Sequence, residues 1–341
     1  MNALALLFSA LVAAESSPWL IWSQQGPSDA VSQLVAGRPG QTRRIGSLPV
    51  RPDHEPRLAL SKDGAWLLAT TSTGRDPELG ATLWRIRLLT GEATRVAEGV
   101  SYSKPLALPD GRGVFLRVAA FTPAAAESSP LDFEGRTVEV QALDADGTAK
   151  RLAAFDCLGL HLAGVFGDRV VVYAVTRDEA SFHAVSLSGS FPPRRLAATP
   201  AGPFARDFSV AGSRLVFASL RPASRDHAVY ALDLDDGQLR VLVETGADEP
   251  MPLASGARFV YTRRGGAGHE LLSSNGETAE PQLATRGLPV ALAIDGAGHL
   301  VAFRKQLSAA QQLWWFDATA RQAHRLETLR HFTVAGFAEL P

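Results

Sequence analysis

The chain has one cysteine, little lysine, and none of the glycine or histidine motifs that mark common catalytic sites. Cys157 is the single cysteine among 341 residues, which excludes an intramolecular disulfide and a cysteine-based metal cluster. Within AAFDCLGL it reads as a small buried apolar residue. Of the 34 basic residues only Lys62, Lys104, Lys150 and Lys305 are lysines. That bias reads as composition rather than as a phosphate-binding device. A net charge of −1 gives no long-range field that would draw nucleic acid or an anionic membrane.

No G-x-S-x-G elbow is present, so the α/β-hydrolase arrangement of a serine between strand and helix is missing. LSGSFPP at Leu187 is a look-alike lying in an expected hairpin turn. Walker-type and Rossmann glycine patterns are absent too. RRGGAGHE at Arg263 joins two expected strands and has no helix whose amides could face phosphate. DADG at Asp144 and DLDDG at Asp233 are flanked by strands and lack the helices and distal glutamate of an EF-hand, so they read as hairpin turns. The eight histidines show no H-E-x-x-H or paired metal spacing. No cofactor or metal is therefore expected from sequence.

What the chain does contain is a repeat. Residues 56–96 hold four short apolar runs, PRLALS, AWLLATTS, TLWRIRLL and ATRV, separated by Lys62-Asp63-Gly64, a polar loop over 72–81, and Thr90-Gly91-Glu92. Runs bounded by Asp, Gly, Pro and Ser clusters read as an antiparallel meander. Its first glycine turn recurs at Gly111, Gly167, Gly212, Gly256 and Gly296, at intervals of 40 to 56 residues, the spacing of propeller blades. The longest interval contains an Ala-, Ser- and Pro-rich insertion over residues 121–135, which reads as an excursion loop.

These anchors define six complete blades, and both ends carry leftovers. Residues 329–340 look like a first strand without a second. PWLIWSQQ, SDAVSQLVAG and QTRRIGSL near the other end look like strands two to four without a first. Pairing the two ends would close a seventh blade and remove the open sheet edges. The expected fold is all-β, a seven-bladed β-propeller closed in this way, with six blades as the alternative should either end not pair.

The pattern of Pro, apolar alternation, Ser, Asp-Gly, an apolar run, Leu-Trp and Thr-Gly-Glu in residues 56–96 resembles the repeats of TolB-type propellers. It is also similar to the propellers that cap hydrolases resembling prolyl oligopeptidases. The resemblance covers the chain after Glu15, strongest in the second blade, and implies fold rather than function. It leaves no room for the additional N-terminal domain of TolB or for an appended hydrolase domain.

Residues 3–14 form an apolar run with Val12 and Ala14 before a cleavage point at Glu15, the pattern of an export signal, although no Lys or Arg precedes the run. It is too short for a membrane-spanning helix. The expected organisation is a signal peptide over 1–14 and a single propeller over 15–341, placed in the periplasm or secreted.

Connections between strands two and three, and between blades, read as the longer ones, over 48–55, 72–81, 121–135 and 304–310. In a propeller both classes emerge on one face, and binding residues favour loops on a rigid scaffold. Ten residues on that face are binding candidates: Arg75, Asp76, Lys104, Arg117, Arg177, Asp207, Arg221, Glu249, Arg263 and Arg304. One reading is a polar ring around the channel that receives a partner or an anionic ligand. The other is arginine–carboxylate pairing that ties blades together. Trp84, Trp314 and Trp315, on expected third strands, read as inter-blade packing.

The sequence thus favours an exported, non-enzymatic, monomeric propeller that binds another protein of the cell envelope through its long-loop face. The alternative is an enzyme or small-ligand binder with a polar or metal site at the channel mouth. A third reading is a propeller partner of a separately encoded hydrolase.

Overall fold

The computed structural model describes residues 18–340 except 27–28, 53, 73–79, 122–134, 201, 247–251, 256–257, 266–267, 276, 286–288 and 308–309. The export segment expected over 1–14 lies outside the described residues. Among those described there is no α-helix, and no helix long and apolar enough to cross a membrane.

Twenty-eight strands form seven four-stranded sheets. The first blade joins β1 (Trp19–Gln25), β2 (Val31–Arg38) and β3 (Gln41–Pro49) to β28 (His331–Ala338) from the far end of the chain. Blade two is β4 (Arg57–Leu60), β5 (Trp66–Ser72), β6 (Ala81–Arg87) and β7 (Glu92–Val100). Blade three is β8 (Leu106–Ala107), β9 (Gly113–Phe121), β10 (Arg136–Leu143) and β11 (Ala149–Cys157). Blade four is β12 (Gly159–Phe166), β13 (Arg169–Val175), β14 (Ala180–Ser186) and β15 (Arg194–Ala198). The fifth contains β16 (Arg206–Ala211), β17 (Arg214–Leu220), β18 (His227–Asp233) and β19 (Leu239–Gly246). The sixth contains β20 (Leu253–Ser255), β21 (Arg258–Gly265), β22 (Gly268–Ser274) and β23 (Ala279–Thr285). The last contains β24 (Pro289–Ile294), β25 (Leu300–Leu307), β26 (Ala310–Asp317) and β27 (Gln322–Leu329).

Each innermost strand adjoins the innermost strand of the next blade, and β28 adjoins both β4 and β24, so the ring is closed. The seven-bladed expectation, including closure by the chain ends, is what the structure shows. β28 pairs antiparallel with β1 from Trp19 opposite Ala338 to Gln25 opposite His331.

The period-2 pattern explains the layering. Second strands are covered on both faces, so they read as continuous apolar runs such as RLVFASL in β17 and RVVVYAV in β13. Fourth strands form the outer rim and are largely exposed, as in β7 and β27. Seven apolar clusters fill the seven gaps between neighbouring blades. Phe182 and Phe217, for example, meet between blades four and five with ring centroids 4.9 Å apart. Leu20, Trp22, Phe332 and Val334 meet residues of blade seven such as Trp315. Trp84 packs against the cluster between blades one and two, and its indole N–H donates to Thr71 at 2.9 Å. The tryptophans of the third strands thus take the inter-blade packing role expected for them.

Candidate binding face and axial channel

Strand polarity puts the starts of all first strands and the ends of all second strands on one face. On that face blades two to five carry the long connections, over 50–56, 73–80, 122–135, 199–205 and 221–226. The connection into blade six, 247–252, is as long as 221–226, whereas those between the second and third strands of blades six and seven, 266–267 and 308–309, have two residues each. The long connection expected over 304–310 is a tight hairpin, because β25 and β26 pair as far as Leu307 opposite Ala310. The alternation that ended the apolar run at Arg304 does not end the strand, since Lys305 and Gln306 continue the ladder opposite Gln312 and Gln311. The opposite face is plainer, with one seven-residue turn, 187–193, in blade four.

Of the ten candidate residues, Arg75, Asp76 and Glu249 lie outside the described residues. Arg221 reaches Glu244 at 3.2 Å, Arg263 reaches Glu270 at 3.2 Å, and Arg304 donates to Gln311 Oε1 at 3.2 Å. Each contact stays inside its own blade, from the second strand, or for Arg221 from the residue just past it, to an outer neighbour. Arg117 stands opposite Glu139 on β10 and is exposed, and Arg177 is exposed in the turn between β13 and β14. Asp207 has a left-handed backbone, φ 56°, and lies 3.7 Å from Arg206 Nε. Lys104 alone of the described candidates lines the channel.

Ties between blades come from other residues. On the plain face Arg85 donates to Ala145 O at 2.6 Å, Lys150 to Ser188 O at 2.9 Å and Arg194 to Leu234 O at 3.5 Å. In each case a basic side chain reaches a backbone carbonyl in the next blade's outer turn. Sequence reasoning missed these because a carbonyl acceptor leaves no signature in residue identity.

At the channel mouth Glu55, just before β4, bridges three segments. Its Oε2 accepts from Thr333 at 3.2 Å, its Oε1 lies 3.5 Å from His331, and its backbone carbonyl accepts from Tyr102. Desolvation raises the Tyr102 phenol, so it stays protonated and able to donate. Arg57 lies over the same ring at 5.0 Å. Across the mouth His161, Tyr173 and Phe208 form an aromatic group, with Tyr173 and Phe208 centroids 5.1 Å apart. On the same face Phe204, in the connection before β16, and Leu158, just before β12, are exposed, Phe204 to 54%.

The seven innermost strands enclose an axial cavity of about 760 Å³. Ala59, Leu60, Leu106, Val165, Val210 and Ile294 are among its aliphatic walls. Lys104 stands at the long-loop end and Lys62 and Asp295 at the other. Water inside the channel reaches Lys104, yet the surrounding protein desolvates its ammonium and lowers its pKa from the ordinary lysine value.

No group of three or more His, Cys, Asp or Glu side chains able to hold a metal occurs among the described residues. Cys157 is buried between blades three and four, and desolvation pushes its thiol up to about 11. It is a thiol rather than a thiolate at neutral pH, hence a poor nucleophile. Native protein at pH 7.4 is expected to resist a colourimetric disulfide reagent and to release one equivalent only on unfolding. Prompt reaction of the native chain would contradict this.

This geometry defines a class: the chain is a seven-bladed β-propeller. Its fold is shared with TolB from Acinetobacter baumannii, at TM-score 0.53 and 14% identity over 97% of this chain and 70% of that one. It is shared also with the β-propeller domain of the Trilobed protease from Pyrococcus furiosus, at TM-score 0.58 and 11% identity over 92% and 99% of the two chains. That domain is described as having an open velcro topology, whereas here β28 and β1 close the ring. A prolyl endopeptidase matches at TM-score 0.61 and 14% identity over 96% of this chain and 52% of its own, so the chain spans about half that peptidase. Neither a family model nor a curated protein sequence matches the chain. At these identities the likeness is one of fold, not of activity.

Proposed function

We propose that the protein is an exported, non-enzymatic, monomeric propeller that binds another protein of the cell envelope through its long-loop face and acts as a scaffold. The observation that carries the reading is two exposed apolar side chains on that face, Phe204 at 54% and Leu158, just before the first strands of neighbouring blades, with the Tyr173 hydroxyl of the His161–Tyr173–Phe208 group donating to Gly202 O, in the connection that carries Phe204, at 3.4 Å. Aromatic anchors on a preorganised surface are the usual energetic centres of protein interfaces. The within-blade pairs of Arg221 and Arg263 form a polar surround suited to an interface rim.

The test is affinity capture of the tagged chain from its native cell envelope, followed by titration with the purified partner. Phe204→Ser is expected to weaken the partner by about thirtyfold or more, the range of an aromatic hot spot. Phe191→Ser, at a residue exposed to 71% on the opposite face, should bind normally. Unchanged affinity for Phe204→Ser, or a loss confined to Phe191→Ser, would reject the long-loop face. Fractionation of cells with and without residues 1–14 reads export separately.

A further inference from the structure

We infer that the free edge of β19, the outermost strand of blade five, is a second binding site. It takes an extended segment of a partner protein, with alternating apolar and acidic residues, as a fifth strand. The site lies on the rim and does not depend on the long-loop face.

A propeller leaves one such edge per blade, because each fourth strand pairs only with the third strand of its own sheet. Native proteins blunt an exposed edge with charge, proline or a bulge. A bulge interrupts the pairing of third and fourth strands in every blade, so edge shape is common to the ring and side chains make the difference. In β3, β7, β11, β15, β23 and β27 the exposed positions hold Arg, Lys, Glu, Asp, His, Gln, Thr, Pro, Ala or Gly. Among the described residues β19 alone exposes a large apolar side chain on an outer strand, Val241 at 46%. Leu242 and Val243 follow it, so neither charge nor proline interrupts the apolar run.

Register fixes what each face of an added strand would meet. Leu239 and Val241 stand opposite Leu232 and Tyr230, residues of the cluster between blades four and five, which puts Val241 on the blade-four side. The outer strand on that side, β15, is the shortest of its class, five residues against seven to nine. Arg240, opposite Ala231, is on the other side of β19, exposed, and makes no ion pair among the described residues. Glu244 is already held by Arg221 at 3.2 Å. An incoming strand therefore needs an apolar residue beside Val241 and, at the next position along its chain, an acid beside Arg240. Such cross-strand neighbours stabilise a sheet, and the free backbone edge supplies the hydrogen bonds. A second copy of β19 does not meet both demands. Antiparallel self-pairing with Val241 opposite Val241 sets Arg240 opposite Leu242. The register with Arg240 opposite Glu244 sets Val241 against Val243, which packs toward blade six.

The experiment is a fluorescence-anisotropy titration of the full chain with the labelled, capped peptide Thr-Val-Glu-Val-Glu-Val-Thr. Beside it run the same peptide with Lys for Glu, a scrambled order, and a version N-methylated at every internal residue, which cannot donate to a strand. The alternating acidic peptide is expected to bind at one per chain and to weaken by about tenfold or more on N-methylation. Val241→Lys should weaken it by about tenfold or more. Arg240→Glu should weaken it by about three- to tenfold and turn the preference toward the lysine peptide. Amide hydrogen exchange with and without the peptide should show slowing in β19. Phe204→Ser should bind the peptide as wild type does, which separates failure of this site from failure of the long-loop face. Absence of binding, equal binding of ordered and scrambled peptides, indifference to N-methylation, or slowing confined to another outer strand would each overturn the assignment. A concentration-dependent dimer abolished by Val241→Lys would overturn it too, by giving the edge to a second copy.

Discussion

A chain ended at Arg330, lacking β28, is expected to lose its cooperative native state. β28 supplies the innermost strand of blade one and pairs with β1 from Trp19 to Gln25. It also fills two inter-blade gaps. Phe332 and Val334 belong to the cluster between blades seven and one, and Ala338 to the cluster between blades one and two. Removing it exposes Leu20, Ile21 and Trp22, all with no solvent exposure in the intact ring, and leaves Glu55 without Thr333 and His331. Each large apolar side chain returned to water costs about 1.5–3 kcal/mol, so four or five of them consume most of the about 5–15 kcal/mol that holds a domain together. The freed edge of β1 would then seek another strand. Thermal melting should show a broad, non-cooperative transition with aggregation, and a synthetic peptide covering 331–341 should restore part of the sharp melt. A truncated chain that melts sharply within a few degrees of the full chain would show that the ring does not depend on this closure.

Why that strand could be foreseen, and other features could not, is a matter of how each is encoded. The glycine turns recur because a tight turn between twisted strands needs residues that tolerate positive φ, and Gly64, Gly111, Gly167 and Gly212 all adopt it. Their spacing therefore counts blades. The leftover apolar runs at the two ends had one partner available, each other, which made closure legible as well. Loop boundaries were less so. Lys305 and Gln306 look like loop residues, yet they pair with Gln312 and Gln311, because an outward-facing hairpin tip can be polar without ceasing to be a strand. The candidate arginines were picked from their recurrent position, but position along a strand does not say in which direction a long side chain bends. Arg221 and Arg263 turn to acids of their own blades, whereas Lys104 lines the axial cavity. The mouth residues Glu55, Tyr102, Thr333 and His331 come from three distant segments, and only the closed ring makes them neighbours.

Gly91→Ala is the single substitution expected to be most damaging. Gly91 lies in the turn between β6 and β7 with φ 70°, where an L side chain strains the backbone by about 1–2 kcal/mol. That strain alone would be tolerable, but the turn is pressed against the preceding blade. A Cβ at Gly91 would fall 2.0 Å from Ile45 O and 3.0 Å from Ile45 C, both backbone atoms of β3. Backbone cannot rotate aside as a side-chain tip would, so blades one and two must separate locally. Ile45 and Leu88 pack with the cluster that fills this gap, and Gly91 N donates to Arg87 O at 2.8 Å to close the turn. Moving the turn away therefore opens packing in that cluster and disturbs the turn together, for a combined loss of about 3–5 kcal/mol. Gly40→Ala supplies the comparison, because Gly40 also has a positive φ, 76°, in a turn between the same classes of strand, but a Cβ there meets nothing within 4 Å. It should cost only the backbone term, about 1–2 kcal/mol. Denaturant unfolding of the two variants separates conformational strain from inter-blade contact. Equal losses would show that the close approach of Gly91 to Ile45 contributes nothing, and that the blades can part at this seam without cost.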